Sequence, residues 1–92
     1  MANGKGWVTV AVLGRARGSR GEVTAFPLSD KPERYSALGA VYLFGEGQPG
    51  QRFEVEEARF HAGRLALKLR GVNTIGEAER LAGLEVRVHG VL

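Results

Sequence analysis

Apolar residues in this chain fall mostly in short runs with a period of two, broken by glycine and proline, and that pattern predicts strands rather than long helices. Trp7-Val-Thr-Val-Ala-Val-Leu13 is β-branched and apolar at both parities. It predicts a strand buried on both faces, or one crossing from one side of a barrel to the other. Gly14 to Gly21 reads as a loop. Glu22 to Leu28 predicts a second strand, ended by Pro27. Ala40 to Phe44 predicts a third, and Gly45 to Gly50 a turn segment. Arg52 to Phe60 and Leu65 to Arg70 predict a hairpin turning at His61-Ala-Gly-Arg64, with Gly63 free to take a positive φ. Leu65, Leu67 and Leu69 would make its dry face, Ala66, Lys68 and Arg70 its wet one. In the preceding strand Phe53 and Val55 share one parity, Ala58 and Phe60 the other. A β-bulge at Glu56-Glu57 would return all four to the core side.

Two helix starts interrupt the strands. Asp30 with Glu33, and Thr74 with Glu77, have capping-box spacing. The first predicts a short helix through Tyr35 to Leu38, stopped at Gly39. The second predicts a helix with Ile75, Ala78, Leu81 and Ala82 on one face, ended by Gly83. Leu84, Val86 and Val88 alternate with Glu85, Arg87 and His89 as a last strand. Six short strands and two short helices make an all-β protein. Its most economical form is a small closed barrel, which leaves no exposed sheet edge. Residues 1–6 read as a flexible polar leader, and residues 7–92 as one domain.

Composition narrows the function. Ninety-two residues suffice for one domain. The absence of cysteine excludes disulfides, thiolate zinc sites and cysteine nucleophiles. Two histidines do not make a metal cage, so no metal or other cofactor is expected. The longest nearly apolar stretch, Trp7 to Leu13, is far short of the roughly 20 residues a membrane helix needs. A cytoplasmic location is the expectation. Fourteen glycines point to many tight turns.

The net charge of +3 is unevenly placed: residues 1–21 carry Lys5, Arg15, Arg17 and Arg20 and no acid. Arginine outnumbers lysine ten to three. The guanidinium fork suits phosphate, although a GC-rich genome would give the same ratio through codon usage. In the segment from Gly14 to Gly21, glycines would let the backbone approach a partner while the arginines reach phosphate oxygens. A solvated turn with incidental charges is the alternative. The segment is not a P-loop, because no Gly-Lys-Ser/Thr follows, and not a dinucleotide fingerprint, because its glycine spacing is wrong and no helix follows. Glu22 would brace an arginine or cap loop amides, or else be an ordinary exposed strand residue.

Glu54, Glu56 and Glu57 form an acidic strand face, with no histidine or aspartate near in sequence to make a metal or acid–base site. Glu77 and Glu79 are explained by capping and the helix dipole. Neither His61 nor His89 has an aspartate and a serine arranged for a triad, so no catalytic residue is expected. Trp7, Tyr35, Tyr42 and the phenylalanines suit the core better than they suit base-stacking platforms.

Three blocks resemble one family. Gly18-Ser-Arg-Gly-Glu-Val23 resembles the "G-hydrophobic-(R/K)-G-E-V" signature of the N-terminal domain of the ribosome maturation factor RimM family. Phe26-Pro-Leu-Ser-Asp-Lys-Pro-Glu-Arg-Tyr35, with Leu38 and Val41-Tyr-Leu43, is similar to its next block. Gly71-Val-Asn-Thr-Ile-Gly-Glu-Ala-Glu-Arg-Leu-Ala-Gly83 is similar to the third, "G-(I/V)-(N/D)-x-I-x-x-A-E-x-L-x-G". They occur in order over about residues 7–89. Arg17 and Ser19 stand where the family often has a histidine and an aliphatic residue.

The resemblance implies a six-stranded barrel of the translation-factor type. It implies non-catalytic, chaperone-like help in assembling the head of the small (30S) ribosomal subunit and in processing its 16S rRNA. Its partners would be the immature small subunit, 16S rRNA and small-subunit ribosomal protein nineteen, with no membrane and no small-molecule substrate. The family's second, PRC-type barrel is expected to be missing from this chain.

On this reading Arg15, Arg17 and Arg20 contact rRNA phosphates, Gly18 and Gly21 shape the loop, and Glu22 orders it. Asp30, Pro32, Glu33 and Arg34 form a second candidate surface. The alternative is a protein-interaction module that grips a basic ribosomal protein through Glu54, Glu56 and Glu57, with RNA contact incidental.

Overall fold

The computed structural model describes residues 6–29 and 31–89. They form six strands, β1 (Trp7–Arg17), β2 (Glu22–Pro27), β3 (Ala40–Gly45), β4 (Gln48–His61), β5 (Arg64–Leu69) and β6 (Glu85–His89). Two short helices, α1 (Glu33–Ser36) and α2 (Ile75–Glu79), connect them. Every pairing is antiparallel, and the order β1-β2-β5-β4-β3-β6 closes into a barrel. The all-β, closed six-stranded barrel read from the periodicity is the fold found. The expected leader lies almost wholly outside the described residues.

The interior is filled by aliphatic side chains of alternating strand positions. Leu13, Val23, Val41, Leu43, Leu65, Leu67, Leu69 and Val86 are fully buried. The ladder between β4 and β5 shifts register between Val55 and Glu57. The bulge predicted from the parity change is there, and Phe53, Val55, Ala58 and Phe60 all pack against the core.

Because β2 and β5 run antiparallel, the helices that follow them sit at opposite ends of the barrel. At one end α1 brings in Tyr35, 1% exposed. Its hydroxyl donates to the Val10 carbonyl at 2.9 Å and accepts from the Ser29 N–H at 3.0 Å. Its ring stacks on Phe60 at 5.4 Å. At the other end Val72, Ala78 and Leu81 close the core.

Several local expectations are corrected. β1 does not stop at Leu13 but runs to Arg17, pairing with Glu22 across a four-residue turn. Most of the segment expected as a turn after Phe44 is strand. Only Glu46 and Gly47 lie between β3 and β4, and the β3–β4 ladder shifts register between Leu43 and Phe44, where Gly50 takes φ +114°. Pro49 is tolerated there because that end of β4 pairs on one side alone, with β3.

α1 starts at Glu33 with Pro32 as N-cap and no side-chain cap bond, and Asp30, the expected cap, lies outside the described residues. α2 has the predicted start, with Thr74 Oγ1 accepting from the Glu77 N–H at 3.1 Å. It ends early at Glu79, and Ile75 is exposed rather than core.

The expected wet face of β5 is corrected: Ala66 and Lys68 are both buried, and Arg70, which is exposed, lies just beyond the strand. Lys68 is only 8% exposed. Its ammonium donates to the carbonyls of Leu69 (2.9 Å) and Val72 (2.7 Å) and to Asn73 Oδ1 (3.1 Å), and it pairs with Glu56 at 3.3 Å. Four oxygens replace the water a buried cation would otherwise lose.

Candidate nucleic-acid interface

The sequence placed its leading site on the segment from Gly14 to Gly21. The structure divides that segment between a strand end and a turn. Gly14 and Arg15 lie in a bulge, where the β1–β2 register shifts between Leu13 and Ala16. The Thr24 hydroxyl donates to the Arg15 carbonyl at 2.8 Å. From α2, Glu79 accepts the Ala16 N–H at 2.7 Å, so its role is to tie the helix to β1 rather than to serve the helix dipole.

The turn uses Gly18 (φ +69°) and Gly21 (φ +90°). Gly18 faces open space, whereas a Cβ at Gly21 would overlap the carbonyl of Val72. Gly21 is therefore required for backbone conformation and for space together. It seats the turn on the loop between β5 and α2.

Glu22 is 6% exposed and accepts hydrogen bonds from two guanidinium groups, Arg20 at 2.8 Å and Arg59 of β4. Burial pushes its pKa up, but the bonds from Arg20 and Arg59 outweigh that and hold the carboxyl below its ordinary value. Glu57 closes the group, pairing with Arg20 at 3.4 Å and Arg59 at 3.5 Å. Glu22 is buried rather than an exposed strand residue, and of Arg15, Arg17 and Arg20 it is Arg20 that it pairs with.

Arg15 and Arg17 are exposed and enter no ion pair among the described residues. Arg17 lies against residues distant in sequence. With Arg59, His61 and Arg64 it lines a depression of about 360 Å³ on the outer face of the barrel. Antiparallel pairing of β1 with β2, of β2 with β5, and of β5 with β4 brings these four residues together.

Arg17 and Arg64 also border an adjoining depression of about 490 Å³, whose wall includes Thr24 and Phe26. Phe26 is 66% exposed. A third depression continues past Pro27 and Gly63 to Leu28, Phe60 and Arg34. Arg34 therefore borders the same side of the barrel, at its α1 end.

Sequence reasoning missed Arg59, His61 and Arg64. Their closeness to one another was legible in the hairpin. Their closeness to Arg17 depends on the β2–β5 pairing, for which no local signal exists.

The acidic strand face is a ladder of ion pairs. Glu54 meets Arg52 (3.6 Å) and Arg70 (3.1 Å), Glu56 meets Lys68, and Glu57 meets Arg20 and Arg59.

The aromatics divide. Tyr35, Phe53 and Phe60 belong to the core or pack on it. Trp7, Tyr42 and Phe44, expected inside, form an outer cluster instead. Trp7 lies 4.9 Å from both other rings, His89 lies on Trp7 at 3.8 Å, and Arg87 lies over Phe44 at 4.3 Å. Tyr42 and Phe44 point outward because Val41 and Leu43 occupy the inward positions of β3.

Among the described residues no cluster of three or more histidines and carboxylates could hold a metal ion, and no helix is long and apolar enough to cross a membrane.

The geometry defines a class first: a small closed antiparallel barrel, helices at opposite ends, with an arginine-lined outer face. The profile of the RimM N-terminal domain matches residues 8–90. The chain belongs to the RimM family. It is 61% identical over 85 residues to the ribosome maturation factor RimM of Solibacter usitatus (strain Ellin6076), covering 90% of this chain and 48% of that protein. The factor of the same name from Thermoanaerobacter sp. (strain X514) is 32% identical over 82 residues, covering 89% and 49%.

Among solved structures, a Pseudomonas aeruginosa protein named for 16S ribosomal RNA processing, RimM, superposes with TM-score 0.80 at 26% identity, over 89% of this chain and 49% of that one. The N-terminal domain of RimM from Thermus thermophilus shares the fold, with TM-score 0.72 at 23% identity over 90% and 88%. The chain spans about half the length of the curated relatives it matches.

Proposed function

We propose that this domain is a non-catalytic binding module of a ribosome maturation factor. It docks on the immature small ribosomal subunit in the cytoplasm and favours correct assembly of the head and processing of 16S rRNA. Family membership supplies the ribosomal setting. The observation that carries a binding role is the placement of Arg17 with Arg59, His61 and Arg64 on one outer face. The barrel fixes that face by backbone pairing, and the pair from Arg59 to Glu22 helps hold it, so little ordering entropy is lost on docking.

The mechanism is population shift. A module that binds the correctly arranged head more tightly than misarranged forms raises its share, by no more than the difference in affinity. Contact with small-subunit ribosomal protein nineteen belongs to the same proposal.

The test is co-sedimentation of this chain with immature and with mature small subunits at near-physiological salt. Selective co-sedimentation with the immature particle is the expected result. Absence of binding to either particle overturns the proposal for this domain.

A further inference from the structure

The arginine face carries more than charge. The depression lined by Arg17, Arg59, His61 and Arg64 is walled by cationic or cationisable side chains only. Its neighbour shares Arg17 and Arg64 and adds Phe26, whose ring is largely in solvent. A Cβ at Gly14 would lie 3.1 Å from the Phe26 ring, so the ring lies over a residue with no side chain. That position leaves it supported from below by backbone and open above.

We infer that these two adjoining depressions bind one strand of RNA. Arg17, Arg64 and His61 hold successive phosphates, and Phe26 provides the platform on which an adjacent base stacks. A purely anionic partner would use the cations alone. A base needs an exposed aromatic beside them, and sequence-independent single-strand binders combine a cationic track with such a platform. A duplex would keep its bases stacked inside and give Phe26 nothing to hold. The inference rests on the ribosomal reading for the choice of RNA as the polynucleotide.

The experiment is fluorescence anisotropy with a short fluorescein-labelled oligouridylate, titrated with the full chain at several salt concentrations. Arg17→Gln and Arg64→Gln each weaken binding, and each lowers the slope of log K against log salt by about 0.7, the value for one lost phosphate contact on a single strand. Phe26→Ala weakens binding by roughly tenfold with the slope unchanged, because stacking releases no counterion. Arg80→Gln, a charge change on the C-cap of α2, leaves both quantities as in the parent chain.

Equal affinity of the parent, Arg17→Gln, Arg64→Gln and Phe26→Ala chains for the oligonucleotide overturns the inference, as does no binding by the parent. Sedimentation separates this from the ribosomal reading. If a chain carrying all three substitutions co-sediments with immature subunits like the parent, the inference alone fails. If the parent does not co-sediment but the titrations behave as stated, the ribosomal reading alone fails.

Discussion

Glu22 of β2 and Arg59 of β4 are hydrogen-bonded across the intervening strand β5, 37 residues apart in sequence. The pair spans three strands of the barrel and anchors the arginine face from below. Replacing Glu22 by Gln leaves Arg20 and Arg59 with Glu57 as their remaining carboxylate, at 3.4 and 3.5 Å. Both arginines are more than half exposed. Water screens the loss, and the expected cost is about 1–2 kcal/mol, below the figure for a fully buried pair. Urea unfolding at neutral pH measures it.

The same carboxylate fixes a pH dependence. Its folded-state pKa lies below the ordinary value, the bonds from Arg20 and Arg59 outweighing the opposing effect of burial. The unfolded chain therefore takes up the proton first as pH falls. The contribution of Glu22 is fully present above the unfolded carboxylate value of about 4.3 and is lost as pH falls through the lower folded value. The stability difference between the parent and Glu22→Gln chains is expected to be flat from pH 7 to about 5.5 and to shrink below about 4.3. A difference that grows on acidification contradicts this.

Gly18 and Gly21 share a turn and a positive φ but not a neighbourhood. Gly18→Ala costs about 1 kcal/mol, the left-handed backbone penalty less the gain from a stiffer unfolded chain. Gly21→Ala adds overlap with the Val72 carbonyl and costs roughly 2–4 kcal/mol. Equal midpoints of denaturation for the two variants would refute the contact.

The Ala16 N–H depends on Glu79. Glu79→Ala removes its acceptor at an exposed site, a loss of about 0.5–1.5 kcal/mol. Native-state hydrogen exchange at Ala16 is expected to accelerate more than at Val23, its ladder partner. Unchanged protection at Ala16 would show that the bond does not hold that strand end.

Tyr35→Phe removes a hydroxyl that serves both the Val10 carbonyl and the Ser29 N–H. The expected cost is about 1–3 kcal/mol: the Val10 carbonyl keeps the Leu28 N–H at 3.0 Å, but the partly buried Ser29 N–H loses its acceptor. Thermal unfolding checks this, and a cost below the error of the measurement contradicts it.

The barrel was legible in the sequence because its signals are local and repeated. The parity change at Glu56-Glu57 marked a bulge, and Thr74 with Glu77 marked a helix start. What sequence missed was set by partners far away. Gly14-Arg-Ala-Arg17 has the composition of a loop, yet it is strand because β2 and Glu79 supply its backbone bonds. Lys68 looks like a solvent residue, yet the bend after β5 wraps carbonyls around it. Trp7, Tyr42 and Phe44 are apolar enough for a core. A barrel this narrow is already filled by aliphatics, so the large rings stay outside and pack on one another.

The Val72 carbonyl faces two claimants, accepting from Lys68 and abutting Gly21. The turn before β2 and the bend after β5 are thus fitted to each other like a hinge pin and its socket. Neither can be lengthened or swapped for another loop by itself. A graft that brings in a new arginine turn must bring its matching bend, and the pair is the smallest unit in which this end of the barrel can be redesigned.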